Sequence, residues 1–196
     1  MPKDTFYNLS EEKQKRIFEG ALQEFSERRF SDASINQIVK NADIPKGSFY
    51  QYFADKEDLY LYVTEEIARD IQGIVAPVDL NASFLENVRQ RAESTIKMGQ
   101  RRPEYAKIGA LTAVDNSEFM LQLLKATNEK YIEMIERDKR NGLIKPETDS
   151  EVLMKMIYIF VINEYLYSGS EEMQYLKKVE AAVRMIKDGI AQSYSE

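Results

Sequence analysis

Apolar side chains recur every three or four residues along almost the whole chain, and little interrupts them. Among 196 residues there are eight Gly and five Pro, and Pro45, Pro77, Pro103 and Pro146 fall between the periodic stretches rather than inside them. No stretch alternates apolar and polar residues as a half-buried strand does, and there is no internal repeat or low-complexity tract. A chain patterned this way buries its apolar stripes by packing helix on helix, so the expected class is all-α.

The spacing predicts about nine helices. The first runs from about Ser10 to Arg28, with Ile17, Ala21, Leu22 and Phe25 on one face. A short helix follows from Ser34 to Asn41, its inner face formed by Ile35, Ile38, Val39 and Ala42. Ser34 and Gln37 have the spacing of a capping box. Ala42 to Pro45 is a tight connection, and Lys46 to Phe53 makes about two turns of a third helix. Asp55 caps a fourth, with Leu59, Val63, Ile67 and Ile71 at i+4 spacing. Ile74 to Leu80 reads as a connection. Longer helices then span Phe84 to Arg101 and Phe119 to Arg140, with a short one from Pro103 to Val114 between them. Gly142 is a helix stop. A further helix, capped by Asp149 or Ser150, ends near Tyr167 and is closed by Ser168 and Gly169. The last runs from about Glu171 to Tyr194. The division expected is a small N-terminal domain, residues 1–56, and a larger helical domain, residues 57–196.

The missing residue types narrow the function. There is no Cys, so no disulfide, thiolate nucleophile or thiol switch. There is no His, so no Ser-His-Asp machinery, no HExxH zinc site and no histidine pH switch. A metal site would need oxygen ligands alone; no metal and no cofactor is expected. Met1 to Ser10 lacks a signal-peptide run, and the longest apolar run, Met156 to Ile162, is seven residues, far short of the ~20 that span a bilayer. A soluble, cytoplasmic protein is the default.

Two short helices about four residues apart, within residues 34–53, have the spacing of a helix-turn-helix, whose second helix enters the major groove. Phe49 and Phe53 face inward in that second helix, which leaves Lys46, Gly47, Ser48, Tyr50, Gln51 and Tyr52 for the outside. Hydroxyls and amides on a solvated face suit phosphates and base edges. Any small helical protein can contain such a helix pair, so the outward composition carries the argument.

The run Ser34-Ile35-Asn36-Gln37-Ile38-Val39, then Ala42 to Phe53 and Asp55-Lys56-Glu57-Asp58-Leu59, resembles the DNA-binding signature of the tetracycline-repressor (TetR/AcrR) family. The resemblance covers about residues 10–60. It implies a dimeric, ligand-responsive regulator, most often a repressor, bound to a palindromic operator and released by a small-molecule effector. It implies that Ser34 caps and touches phosphate, and that Lys46 and Gly47 open the recognition helix. Ser48 and Gln51 are candidates for base edges, Tyr50 and Tyr52 for phosphates, and Lys56 for backbone phosphate. Tyr52 stands where the family often has His. Asp43 stands where it commonly has Gly, and Asp tolerates the left-handed conformation better than most residues.

The formal charge of −6 argues at first against a nucleic-acid partner. Residues 1–56 carry nine Lys+Arg and nine Asp+Glu, and residues 57–196 carry 18 and 24. The excess negative charge therefore lies outside the candidate DNA-binding segment. Few phosphates are neutralised, so a shallow salt dependence is expected.

The segment from Ser150 to Tyr167 is apolar nearly all round, so it must be covered on two sides. One cover is its own domain; the other is a second copy of the chain, as the resemblance implies, unless this is the central core helix of a monomer. Phe160 and the final helix's seam, Leu176, Val179, Val183, Ile186 and Ile190, are the expected dimer interface, a four-helix arrangement about a two-fold axis. Met98, Tyr105, Phe119, Met120, Leu123, Tyr158 and Tyr165 are candidate walls of an effector pocket, each of which also fits an ordinary core position. Glu164 fits recognition of a cationic or polar effector, a pair with Arg, or the dimer rim. Two rival readings are weaker. An enzyme would lack His, Cys and any phosphate-binding Gly loop. A protein-binding module would show an apolar patch where this helix shows Lys, Ser, Gln and Tyr.

Overall fold

A computed structural model describes residues 1–168 and 171–190, with side chains in the last helix as far as Gly189. Among the described residues there are ten α-helices, one 3-10 turn and no strand. They are α1 (Asp4–Tyr7), α2 (Glu11–Glu27), the 3-10 turn Phe30–Asp32, α3 (Ile35–Asn41), α4 (Lys46–Tyr52) and α5 (Lys56–Asp70). Then come α6 (Phe84–Arg101), α7 (Pro103–Ala113), α8 (Glu118–Arg140), α9 (Ser150–Ser168) and α10 (Glu172–Ile190). The addition to the sequence reading is α1. Gly169 and the expected helix end at Tyr194 lie outside the described residues.

Local chemistry explains most boundaries. Asp55 accepts the Asp58 amide at 2.8 Å and Asp149 accepts the Val152 amide at 3.0 Å, two side-chain N-caps. Asp43 has φ 52° and Gly142 has φ 72°, the left-handed positions of the turns after α3 and α8. The capping box at Ser34 does not form. Buried Glu24 reaches from α2 and accepts the Ser34 amide at 2.9 Å, while the Gln37 amide turns to Asn41 at 2.7 Å. A buried carboxylate has taken the place of the local cap.

The helices cluster into two compact units, Met1–Ile74 with Met98–Met120, and Val75–Lys97 with the chain from Leu121 onward. The division cuts α6 after Lys97 and α8 after Met120.

The first unit is built on aromatic rings. Phe6 is fully buried, and its ring centroid lies 4.9 Å from Tyr62 and 5.2 Å from Phe53. Phe25, Phe30 and Tyr60 form a second group, with Tyr60 set edge-on to both phenylalanines. Leu59, Val63 and Ile67 of α5 lie in this core. At Gly20 an added Cβ would stand 2.7 Å from the Ala42 backbone nitrogen, so α2 and the turn after α3 meet where only glycine fits.

In the second unit, Phe84, Val88, Ala92 and Ile96 of α6 pack with Tyr131 and Ile135 of α8, Ile157 of α9 and Tyr175 of α10. Buried Asp138 accepts the Phe84 amide at 2.7 Å and so caps α6. Arg89 grips Glu180 through two bonds of 2.7 and 3.0 Å, fastening α6 to α10.

The expected dimer seam is corrected here. Val179 and Val183 are buried inside this core, and Leu176 and Ile186 pack against it, so the seam is used within its own unit. The side chain of Ile190 lies outside the described residues. Phe160 stays 38% exposed, on the face of α9 that also exposes Val152, Met156, Ile159 and Tyr167.

Candidate nucleic-acid interface

α4 has two unlike faces. Phe49, Tyr52 and the following Phe53 are buried. Lys46, Gly47, Tyr50 and Gln51 are exposed and Ser48 is half-buried. Among the described residues nothing lies within 4 Å of a Cβ built at Gly47, so no packing among them requires glycine there. Ser34, at the N-terminus of α3, is also exposed.

Two expected contacts are placed differently. Tyr52 does not face outward: it is 6% exposed, packs its ring edge-on to Phe6, and carries the Lys13 ammonium 5.5 Å over its face. The reason is spacing, because positions 49, 52 and 53 share one side of a helix. Lys56 is not free for a phosphate. Its Nζ donates to the carbonyls of Phe30 at 2.6 Å and Ala33 at 2.8 Å, and sits 4.5 Å over the Phe30 ring. Burial pushes its pKa down, with Asp115, Asp32 and Glu24 pulling the other way.

α1, which no periodicity announces, completes α4. A helix leaves its last carbonyls without partners. Here the Lys3 amide donates to the Tyr52 carbonyl at 2.8 Å, the Lys3 ammonium to the Tyr50 carbonyl at 2.8 Å, and the Thr5 hydroxyl to the Gln51 carbonyl. Phe6 anchors that cap in the core.

The 3-10 turn before α3 is held by three charges. Lys56 takes its carbonyls and Glu24 takes the Ser34 amide. Asp115, buried in the turn after α7, accepts the Ser31 amide at 2.7 Å and the Ser117 amide at 2.8 Å. Burial opposes the Asp115 charge, but these hydrogen bonds outweigh it and hold the carboxyl below the usual range. Nearby the Tyr60 hydroxyl bonds Thr112, and burial pushes its pKa up to about 12. Arg102 and Glu19 join in two bonds of 2.9 and 2.8 Å, and Arg101 reaches Asp70 at 2.6 Å.

The candidate effector residues separate. Met120 and Tyr105 are buried, and Met98 and Phe119 pack on the same first-unit core. Their size and adaptability serve packing in that core. Leu123 is exposed, and Tyr165 packs edge-on to Tyr175 at 5.5 Å. Tyr158 lines a cleft in the second unit. That cleft, of about 320 Å³ including a part open to solvent, is lined by Phe84, Val88 and Arg91 of α6 and Tyr131 of α8. α9 supplies Met154, Ile157, Tyr158 and Val161. Sequence periodicity had no means to single out Arg91. Glu164 is paired with Lys178 at 2.5 Å and Ser168 at 2.6 Å, and those bonds hold its pKa down.

Among the described residues no His/Cys/Asp/Glu group could hold a metal ion, and no helix is long and apolar enough to cross a membrane.

A short buttressed helix pair with a polar outward face defines a helix-turn-helix protein. Comparison with known proteins names the family. Residues 17–63 match the family model for bacterial regulatory proteins, tetR family. YdgC of Bacillus subtilis, an uncharacterised HTH-type transcriptional regulator, is 26% identical over 151 residues, 74% of this chain and 75% of YdgC. A TetR family regulator from Chloroflexus aurantiacus has the same fold, with a TM-score of 0.70 at 24% identity over 98% of this chain and 100% of that one. FadR of Bacillus subtilis, solved in complex with stearoyl-CoA, shares the fold with a TM-score of 0.60 at 15% identity over 90% of this chain and 98% of FadR. Residues 17–63 are thus those of a tetR-family DNA-binding segment, and the relatives that the chain resembles are transcriptional regulators, not enzymes.

Proposed function

We propose that this regulator is a repressor: a cytoplasmic homodimer that holds a palindromic operator and lets go when a small molecule binds its second unit. The observation that carries DNA reading is the face of α4. Lys46, Gly47, Tyr50 and Gln51 stand exposed with no partner core, while α1, Phe49 and Phe53 hold the helix still. Ser34 and Ser48 border that face and complete the proposed contact set. DNA reading is assigned to residues 1–56, and sensing and pairing to residues 57–196.

Support for the dimer is the outer face of α9. Val152, Met156, Ile159, Phe160 and Tyr167 are exposed, most of them at three- and four-residue spacing. An apolar stripe of that length calls for a partner, and a second copy offers the same stripe about a two-fold axis. Two recognition helices would then read half-sites about 34–36 Å apart or a multiple of that. Support for an effector is the second-unit cleft, together with the stearoyl-CoA bound in the similarly folded FadR. Linkage asks for a coupling of about 1–3 kcal/mol between effector and operator.

The test is fluorescence anisotropy with DNA flanking the chain's own gene, titrated with salt. Saturable binding is expected, with a salt slope equivalent to about 3 or 4 phosphate contacts per subunit. No preference for that DNA over a random duplex would overturn the reading.

A further inference from the structure

We propose that the second-unit cleft takes an amphipathic anion, a slender apolar chain whose carboxylate or phosphate head is held by Arg91. The proposal rests on the ligand-responsive reading above and adds the chemical class of the ligand.

The cleft is apolar in its depth, with Phe84, Val88, Met154, Ile157 and Val161 among its walls. Arg91 is its one charged lining residue. The other arginines of α6 are committed: Arg89 to Glu180 and Arg101 to Asp70. Arg91 makes no ion pair among the described residues. Its side chain is exposed, so the guanidinium stands where an apolar wall meets water. A planar guanidinium offers paired N–H donors to a carboxylate or phosphate.

Behind these walls lies Tyr175 of the same core, which does not itself line the cleft. Tyr175 is 1% exposed, and among the described residues its hydroxyl makes no hydrogen bond of normal geometry. The Thr95 hydroxyl is near enough to influence it, but gives its own proton to the Arg91 carbonyl at 2.9 Å. Arg91's charge is felt at both the Tyr175 and the Tyr131 phenols. One cation without an ion pair thus stands at the rim of an apolar slot. A neutral apolar ligand would leave it unanswered, and a cationic head would be repelled. The cleft is narrow, about 320 Å³ even with the part open to solvent counted, which favours a single chain over a fused ring system.

The experiment is calorimetric titration of the full chain with decanoate, decan-1-ol and decyltrimethylammonium, three probes with one tail and different heads. Decanoate is expected to bind about tenfold more tightly than either of the others, since charge-assisted bonds are the strong ones. Arg91→Gln is expected to erase that preference and Arg91→Lys to keep part of it. Equal affinities for the three heads, no binding of decanoate, or a preference that survives Arg91→Gln would overturn the proposal. The head-group comparison uses the unaltered chain, so a variant that fails to fold does not blunt it. Decanoyl-CoA separates the sources of the anion: tighter binding than decanoate assigns the head to a phosphate, weaker binding to a free carboxylate. Decanoate that binds as expected yet leaves operator affinity unchanged keeps the site and overturns its role as effector pocket.

Discussion

The two contact units solve different problems with the same helical material. In the first, directed polar contacts hold short elements in place: Glu24, Lys56 and Asp115 grip the 3-10 turn and the start of α3, and α1 closes the end of α4. In the second, longer helices pack through apolar contacts, leave a cleft, and expose an apolar face on α9. A surface that must match a rigid double helix needs fixed geometry, which hydrogen bonds supply because they are directional. A surface that must admit a ligand and meet a partner is better made of adaptable apolar groups.

The largest expected effect contrasts a buried ring with an exposed side chain. Phe6→Ala should cost about 3–5 kcal/mol in denaturant unfolding, because the ring is fully buried among aromatic partners. Met156→Glu, on a side chain 59% exposed, should change unfolding of the isolated subunit by no more than about 0.5 kcal/mol. It should instead convert dimer to monomer in analytical ultracentrifugation. A stable Phe6→Ala protein, or a Met156→Glu dimer, would blur the contrast between the units.

Two glycines give the next test. Gly20→Ala puts a Cβ 2.7 Å from backbone and should cost about 1–3 kcal/mol. Gly47→Ala meets nothing within 4 Å and should leave the melting temperature in place while weakening operator binding. Equal melting temperatures for the two variants would remove the close approach as the reason for glycine at position 20.

Asp115→Asn should cost about 1–3 kcal/mol, since it leaves a buried amide facing the Ser31 and Ser117 donors. The sign of its pH dependence follows from its lowered pKa. A carboxyl depressed in the folded state contributes stability above its unfolded value and loses it as pH falls through the folded value. Unfolding midpoints should therefore drop below about pH 4, and less steeply in Asp115→Asn. With no His and no Cys, side-chain titration leaves the midpoint nearly flat from about pH 6 to 8.

Helix positions were legible because burial imposes a period of 3.6 that survives without any knowledge of partners. Phe49 and Phe53 were readable as inward for that reason, and Asp55 as a cap because its partner is three residues away. Tyr52 lies on the same side as Phe49, but its hydroxyl invited an outward reading. What escaped depends on residues distant in sequence. Lys56 bonds carbonyls more than twenty residues earlier, and α1 is too short to show a period. Met98, Tyr105, Phe119 and Met120 show why a pocket is hard to read: a core wall and a cleft wall use the same side chains. α9 was recognisable as two-sided, but a helix apolar all round does not say which side meets its own chain. Its inward residues are Leu153, Met154 and Ile157, and its outward ones are Val152, Met156 and Ile159.

The central claim is that the outward face of α4 reads DNA while taking no part in holding the fold. Tyr50 is 47% exposed, and replacing it by Ala tests this most directly, with operator affinity and sedimentation measured on the same preparation. The expected result is a loss of affinity of about tenfold or more, at unchanged mass and unchanged melting temperature. Unchanged affinity for the operator would contradict it.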